Sequence, residues 1–370
     1  MRIILIFFLM HGVLFASDNL ERIKQDAENG NENAQFILGS MYVFGEEVKQ
    51  DYPEALKWYR LAAGQGYAEA QFALGVLYYY GGGVQQDYFE AKKWFQLASD
   101  QGHSEAQQRL GSMYYYGEGT QQDNFEAKKW FQLAADQGNA DAQNLLGLMY
   151  YNGEGVKQDY FEAKKWFQLA ANQGNVDAQF RFGAMYYLGA GVEQDYFEAK
   201  KWFQLAAEQG HLNAQYFLGR MYYDGQGTRQ DYFEAKKWYQ LAANQGDSNA
   251  QKDLGVMYYN GEGVRQDYFE AKKWFQLAAN QGNADAQYRF GAMYYLGTGA
   301  EQDYFEAKKW YQLAADQGNA MAYGLLGIMY QEGHGVKQSY RKAKELYGIS
   351  CDLGVQFGCE SYKELNLKGY

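Results

Sequence analysis

Residues 69–102, EAQFALGVLYYYGGGVQQDYFEAKKWFQLASDQG, carry two apolar rhythms separated by a run of glycine. In the first, Ala70, Leu74, Gly75, Tyr78 and Gly81 fall at offsets 0, 4, 5, 8 and 11. At about 100° per residue these collect on one side of a helix, called helix A below. Gly75 gives up helix propensity and allows another backbone to come close. Gly81-Gly82-Gly83 then breaks the helix and turns the chain. In the second rhythm Ala91, Trp94 and Ala98, at offsets 0, 3 and 7, form the buried seam of a helix B. Asp87 is its expected N-cap, and Glu90 three positions on makes the acidic variant of a capping box. Gly102 stops it. The only proline of the chain, Pro53, falls in the first turn of another helix B after Asp51, where a missing N–H costs little.

This text recurs. All eight tryptophans, from Trp58 to Trp310, are spaced by 36 residues, and the surrounding sequence is nearly the same each time. Self-similarity at that period predicts a solenoid of stacked helix pairs, each burying its apolar face only against its neighbours. Nine copies of helix A begin with Ala34 and run to the one at Ala322; nine copies of helix B carry the Trp column, with Leu346 in its place in the last. The expected fold is all-α, with a capping helix over 17–32, nine repeats over 33–354 and a second capping helix over 355–370. Polar, irregular end units keep a solenoid soluble at its termini. A longer period overlies the short one. Residues 177–210 resemble 285–318, and Thr120 pairs with Thr228, each at an offset of 108 residues. A duplicated block of three repeats predicts two similar docking sites.

Residues 1–16 stand apart. Arg2, the apolar stretch Ile3 to Met10, and Leu14-Phe15-Ala16 before Ser17 have the layout of a cleaved export signal, too short to span a bilayer at about 20 residues. No later segment is continuously apolar, so no membrane insertion is expected after cleavage, and the mature chain is expected in the periplasm or outside the cell. The net charge of −11 and pI near 5.0 disfavour nucleic acid and anionic lipid. The repeated Lys-Lys pairs follow a Glu closely, as in Glu90-Ala91-Lys92-Lys93, and read as solvated helix faces. Cys351 and Cys359 are the only cysteines; in an exported chain such a close pair reads as a disulfide. The four histidines form no metal-binding grouping, and neither metal nor cofactor is expected.

The pattern A-x-x-x-L-G-x-x-Y-x-x-G-x-G-V, followed by D-x-x-x-A-x-x-W-x-x-x-A-A-x-x-G, resembles the Sel1-like repeat family over residues 18–370. That resemblance implies a right-handed superhelix of αα-hairpins related to the tetratricopeptide solenoids, with helix A lining the concave side, and an adaptor role in protein complexes. The segment from Cys351 to Cys359 is similar to the cysteine pair of the Helicobacter cysteine-rich branch. There a disulfide clips helix B of one unit to helix A of the next, usually in every repeat. Here the other eight units have no cysteine. Resemblance to that branch implies, as an alternative, penicillin binding with weak β-lactamase activity.

Against near-identical repeats, columns that vary mark where function could sit. The third position after the helix-A alanine includes Arg109, Leu145, Arg181, Phe217, Asp253, Arg289 and Leu325; the sixth includes Arg220, and the tenth Tyr116, Leu188, Asp224 and Leu296. Their spacing puts them on one face, expected opposite the buried one and exposed. Mixed apolar, Arg and Asp residues there suit a protein or peptide ligand with several anchors. A ladder of tyrosines from Tyr79 to Tyr295 borders the same face and reads either as an aromatic platform for glycan or peptidoglycan, or as rings packed on the next loop with hydroxyls in water. Ser339-Tyr340-Arg341-Lys342 matches the S-x-x-K of serine β-lactamases, but Ser339 stands in the N-cap column and Lys342 in the capping-box column. The leading expectation is therefore an exported, monomeric, non-catalytic scaffold that binds a protein or peptide in the helix-A groove. Terminal sequencing of the chain recovered from an exporting host should begin at Ser17; retention of Met1 in the exported fraction overturns the signal assignment.

Overall fold

The computed structural model describes residues 17–370. The export signal read at 1–16 lies outside the described residues. Among those described, every regular element is a helix, twenty in all. Helices A and B alternate with 13 residues each, as in Ala68–Tyr80 followed by Tyr88–Asp100, and 12-residue helices, Ser17–Glu28 and Gln356–Leu367, stand at the ends. The αα-hairpin solenoid of nine repeats is thus the observed architecture. The chain divides into two compact units, the first reaching Ala178 and the second beginning at Gln179.

Within the first unit the core is built from three helices at a time. Ala91, Phe95 and Ala98 of one helix B meet Ala106, Leu110 and Met113 of the next helix A, and Trp130 of the following helix B closes the cluster. Its N-terminal end works the same way: Ile23 and Ala27 of the first helix pack with Ala34, Leu38, Met41 and Trp58. The second unit repeats the scheme with Ala235, Tyr239, Ala242, Leu254 and Met257, against which Trp274 packs. No hairpin closes its own core, which is why the units must stack.

Two local expectations need correcting and one extending. The tryptophans do lie in the buried seam, Trp130 at 6% exposure and Trp94 partly buried, but the ring after each Trp lies deeper, as Phe131 does. Lysines such as Lys129, 5.0 Å from the Trp130 ring, cover the outer side of the tryptophans. What approaches the helix-A glycine is a ring rather than a backbone. A Cβ on Gly111 would lie 2.6 Å from the Phe131 ring, and the same holds for Gly255 against Phe275. The capping box is one-sided. Asp87 accepts from the backbone N–H groups of Phe89 (2.9 Å) and Glu90 (3.1 Å), but the Glu90 carboxylate turns forward to Lys93.

A glutamine chain links neighbouring repeats. In the first unit Gln71, almost wholly buried, donates to the Ala63 carbonyl at 3.2 Å and accepts from Gln101 at 2.7 Å. In the second, Gln251 donates to Ala243 and accepts from Gln281 at the same two distances. At the end of helix B the Ala63 and Ala243 carbonyls, which already accept from the Gly66 and Gly246 N–H groups, gain a side-chain donor from the next repeat. At the C-terminus Tyr323 and Leu353 interrupt this chain. There the Cys351–Cys359 disulfide, with Cα atoms 4.5 Å apart, joins the columns of Ala63 and Gln71, and Ser350 Oγ donates to the Ala320 carbonyl at 2.8 Å. A covalent link has replaced the helix-B-to-glutamine hydrogen bond where the array ends. The loops are equally constrained: Gly119, at φ +64°, faces the Tyr88 carbonyl with no room for a Cβ, which would come within 2.5 Å.

Gly111→Ala should destabilise the protein even though alanine improves helix propensity by about 1 kcal/mol. Overpacking of this kind costs roughly 1–3 kcal/mol, and the chain offers only the rigid Phe131 ring to move. A lower urea midpoint for Gly111→Ala, restored in part by Phe131→Leu, is the expected result.

Candidate partner-binding face

The helix-A columns do not stand opposite the core but along its flank. An offset of 3 residues places a side chain only about 60° from the buried alanine at about 100° per residue. Hence the third-position residues are half buried. In the first unit Leu145 packs against the cluster containing Phe131 and Trp166. In the second, Leu325 packs against the cluster of Tyr311 and Leu346. Phe217 sits among rings, 5.6 Å from both Tyr187 and Phe203. The expectation that these three are exposed apolar anchors is therefore wrong. Exposure belongs to the tenth position: Tyr116 and Leu188 are each 61% exposed, and Leu296 is 57% exposed.

Arg109 is half buried on the helix that carries Tyr116. The second unit holds most of the charge. Arg220 pairs with Asp224 one helical turn on, at 3.5 Å, and both are exposed. Asp253, from the next repeat, is largely buried. It contacts Lys252 directly and accepts from the Tyr216 hydroxyl. Burial raises the Asp253 carboxyl above the ordinary carboxylate value, with Lys252 and Tyr216 pulling the other way. Arg181 and Arg289 occupy equivalent places 108 residues apart. In each the guanidinium Nε is buried without a hydrogen-bond partner. Their repeats share a further feature, since Phe182 and Phe290 each meet the following Trp edge-on at 5.0 Å. The expected duplication is thus present in the packing as well as in the text.

The tyrosine ladder packs on the loop of the next repeat, and five of its seven hydroxyls, those of Tyr79, Tyr115, Tyr187, Tyr223 and Tyr295, bond to a side chain there. Tyr79 donates to Glu118 at 2.5 Å, Tyr115 bonds Glu154, and in the second unit Tyr223 donates to Glu262 at 2.6 Å and Tyr187 to Gln226 at 3.0 Å. Burial, with Glu118 beside it, holds the Tyr79 phenol far above its ordinary value. A hydroxyl spent on the next loop is not available to a glycan, so the ladder is a spacer between loops. Ser339 caps the helix Tyr340–Asp352: its oxygen accepts from the Lys342 backbone N–H at 3.3 Å, while the Lys342 ammonium lies 2.7 Å from Glu345. Serine and lysine side chains are not arranged there as nucleophile and base. Among the described residues no group of His, Cys, Asp and Glu is placed to hold a metal ion, and no helix is long and apolar enough to cross a membrane.

A second surface escaped the column comparison because it does not vary. Phe89, Phe125 and Phe161 in the first unit, and Phe197, Phe233, Phe269 and Phe305 in the second, point outward from the second position of helix B, most of them about three-quarters exposed. Shallow clefts open beside Phe125, with Val156 and Lys157, and beside Phe233, with Val264 and Arg265. A search for variable positions cannot see an invariant one. The signal available in the sequence was a Phe two residues before the seam alanine in seven of the nine helix-B copies, with Pro53 and Arg341 in the other two.

These features define an αα-hairpin repeat protein whose chemistry lies in its surfaces. The Sel1 repeat family profile matches nine consecutive segments, from 33–67 to 320–355, and the chain belongs to that family. It is similar to a protective antigen of uropathogenic Escherichia coli with an SLR fold, at 31% identity and a TM-score of 0.71, over 95% of this chain and 91% of that one. It is also similar to a Sel1 repeat protein from Oxalobacter formigenes, at 36% identity and a TM-score of 0.62, over 84% of this chain and 90% of that one. No curated protein matches the chain.

One titratable cap heads the helix that carries Arg109. His103 Nδ1 accepts from the Ala106 backbone N–H at 3.3 Å, and its ring stacks on Phe72 at 4.7 Å. Burial lowers the His103 pKa below its ordinary 6.5, against the opposing pull of Glu105 and Glu69. The unfolded chain therefore takes up the proton first. The cap contributes fully above the unfolded value, and its contribution is lost as pH falls through 6.5 towards the lower folded value. His103→Asn keeps an acceptor that does not titrate, so its urea midpoint should fall less than that of wild type between about pH 8 and about pH 5. Parallel curves would show that His103 does not carry the effect.

Proposed function

We propose that this Sel1 repeat protein is an exported, non-catalytic scaffold that binds a protein or peptide partner along helix A, the side that is concave in the family fold. One observation supports this above the rest. In the second unit the variable helix-A positions combine exposed Leu188 and Leu296 with the exposed Arg220–Asp224 pair, on a framework that is otherwise nearly invariant. Apolar anchors beside orienting charges are the composition of a protein-recognition surface. Drift at idle positions would leave ordinary polar residues rather than two leucines standing in water. Family membership supports the scaffold role, and the Ser339 geometry gives the penicillin-recognising alternative no support.

Capture from an extracellular and envelope extract tests the reading, with residues 17–370 as bait. The triple variant Leu188→Asp, Arg220→Glu, Leu296→Asp changes only exposed side chains and should keep the helical circular dichroism of wild type. A protein retained by wild type and lost by the triple variant is the expected result. Equal capture by both would shift the site to the exposed phenylalanines, where Phe233→Ser with Phe269→Ser is the matching variant.

A further inference from the structure

Arg181 and Arg289 are the two helix-A arginines whose Nε is buried without a partner. Each stands seven residues before an exposed leucine, Leu188 or Leu296, which puts arginine and leucine on the same helical stripe, two turns apart. Both pairs lie in the second unit, exactly three repeats from each other in sequence, and the Phe182–Trp202 and Phe290–Trp310 contacts behind them match. Of the other two arginines on this face, Arg220 already has Asp224, and Arg109 lies in the first unit. Arg289 instead lies over the Tyr288 ring at 5.0 Å, and no carboxylate is within ion-pair range of Arg181 or Arg289 among the described residues. A buried donor atom without an acceptor is a costly arrangement, and here it occurs twice, at equivalent places on half-buried arginines, each two turns from an exposed leucine.

We infer that Arg181–Leu188 and Arg289–Leu296 are two equal subsites for one acidic peptide segment, each arginine taking a Glu or Asp carboxylate and each leucine an aliphatic side chain. This rests on the helix-A scaffold reading and gives its partner a chemistry: a protein with two acidic–aliphatic motifs on one flexible or extended stretch. An anionic partner also fits the charge logic. On a chain of net charge −11 an acidic ligand is disfavoured overall, so two arginines without a carboxylate partner would set its register.

The test uses residues 17–370 and synthetic peptides with two copies of the segment LEEL joined by Gly-Ser linkers of roughly 10 to 40 residues. Controls are the single-copy peptide and a two-copy LQQL peptide. Wild type should bind the two-copy LEEL peptide at least roughly tenfold more tightly than the single copy at the best linker length. Arg181→Gln and Arg289→Gln should each reduce the two-copy affinity to the single-copy value, and the double variant should abolish binding. Equal binding of LEEL and LQQL overturns the inference, as does a single variant that binds like wild type. If a Gln variant loses helicity, Arg181→Met and Arg289→Met replace them, which keep the apolar stem and remove the charge, and unchanged two-copy affinity in both overturns it equally. A partner captured from the extract, lost by the Leu188, Arg220, Leu296 variant and indifferent to both arginines, would sink the two-subsite inference and leave the scaffold reading standing.

Discussion

In each hairpin a helix-A glycine and the Phe or Tyr ring of the following helix B share a space that no Cβ could enter. Gly39 meets Tyr59 in this way, Gly147 meets Phe167, and Gly327 meets Tyr347, with would-be Cβ contacts of 2.6 to 2.7 Å. That seating sets how closely the two helices approach. It leaves the small residues of helix B, such as Ala134 and Ala135, to receive Leu146 and Met149 of the next helix A. The Trp of the following repeat then closes the cluster. Each link presupposes the one before it, so the hairpin contact propagates through stacking rather than through any long-range feature of the chain.

A polar chain runs beside the apolar one. The buried glutamine of each helix A takes a carbonyl from the helix B before it and offers its own oxygen to the glutamine after it, so one amide serves two junctions. Buried polar groups are tolerable only when fully partnered, and this repeated solution leaves little freedom in the stacking register. Where the neighbour runs out, Tyr323, Leu353 and the disulfide stand in columns that elsewhere hold part of the amide chain, and Ser350, one residue before Cys351, bonds the Ala320 carbonyl. The last helix keeps a buried Leu365 in the column of Met41, so it closes the apolar chain as well.

Such a framework separates stability from recognition. Core columns hardly change, most of the tyrosine hydroxyls are tied to the next loop, and variation is concentrated on one flank of helix A. How far those positions can serve a partner depends on exposure, and there the helical wheel alone misleads. Leu145, Phe217 and Leu325 look like anchors by spacing, yet each completes a cluster, because a side chain at the flank of a thin two-helix layer touches both the core and the neighbouring repeat. For the exposed phenylalanines the wheel is right: two residues before the seam alanine is about 160° round the helix, and there they face outward.

The sequence by itself determined what depends on period and local chemistry. A 36-residue text with Asp caps, glycine breaks and small apolar seams admits helix pairs and little else, and the boundaries follow because capping and left-handed turns are decided within four or five residues. The end helices and the cysteine pair were equally legible, since they are departures from a pattern repeated nine times. Tertiary structure alone decided which aromatic is central, which tyrosine oxygen is occupied, and that Ser339 serves its own helix. It also decided that two arginines of the same column as Leu145 hold an unpaired nitrogen. These are contacts between repeats, set by side chains some 30 to 40 positions apart such as Gln101 with Gln71 and Tyr79 with Glu118. A single repeat does not encode the face its neighbour will cover.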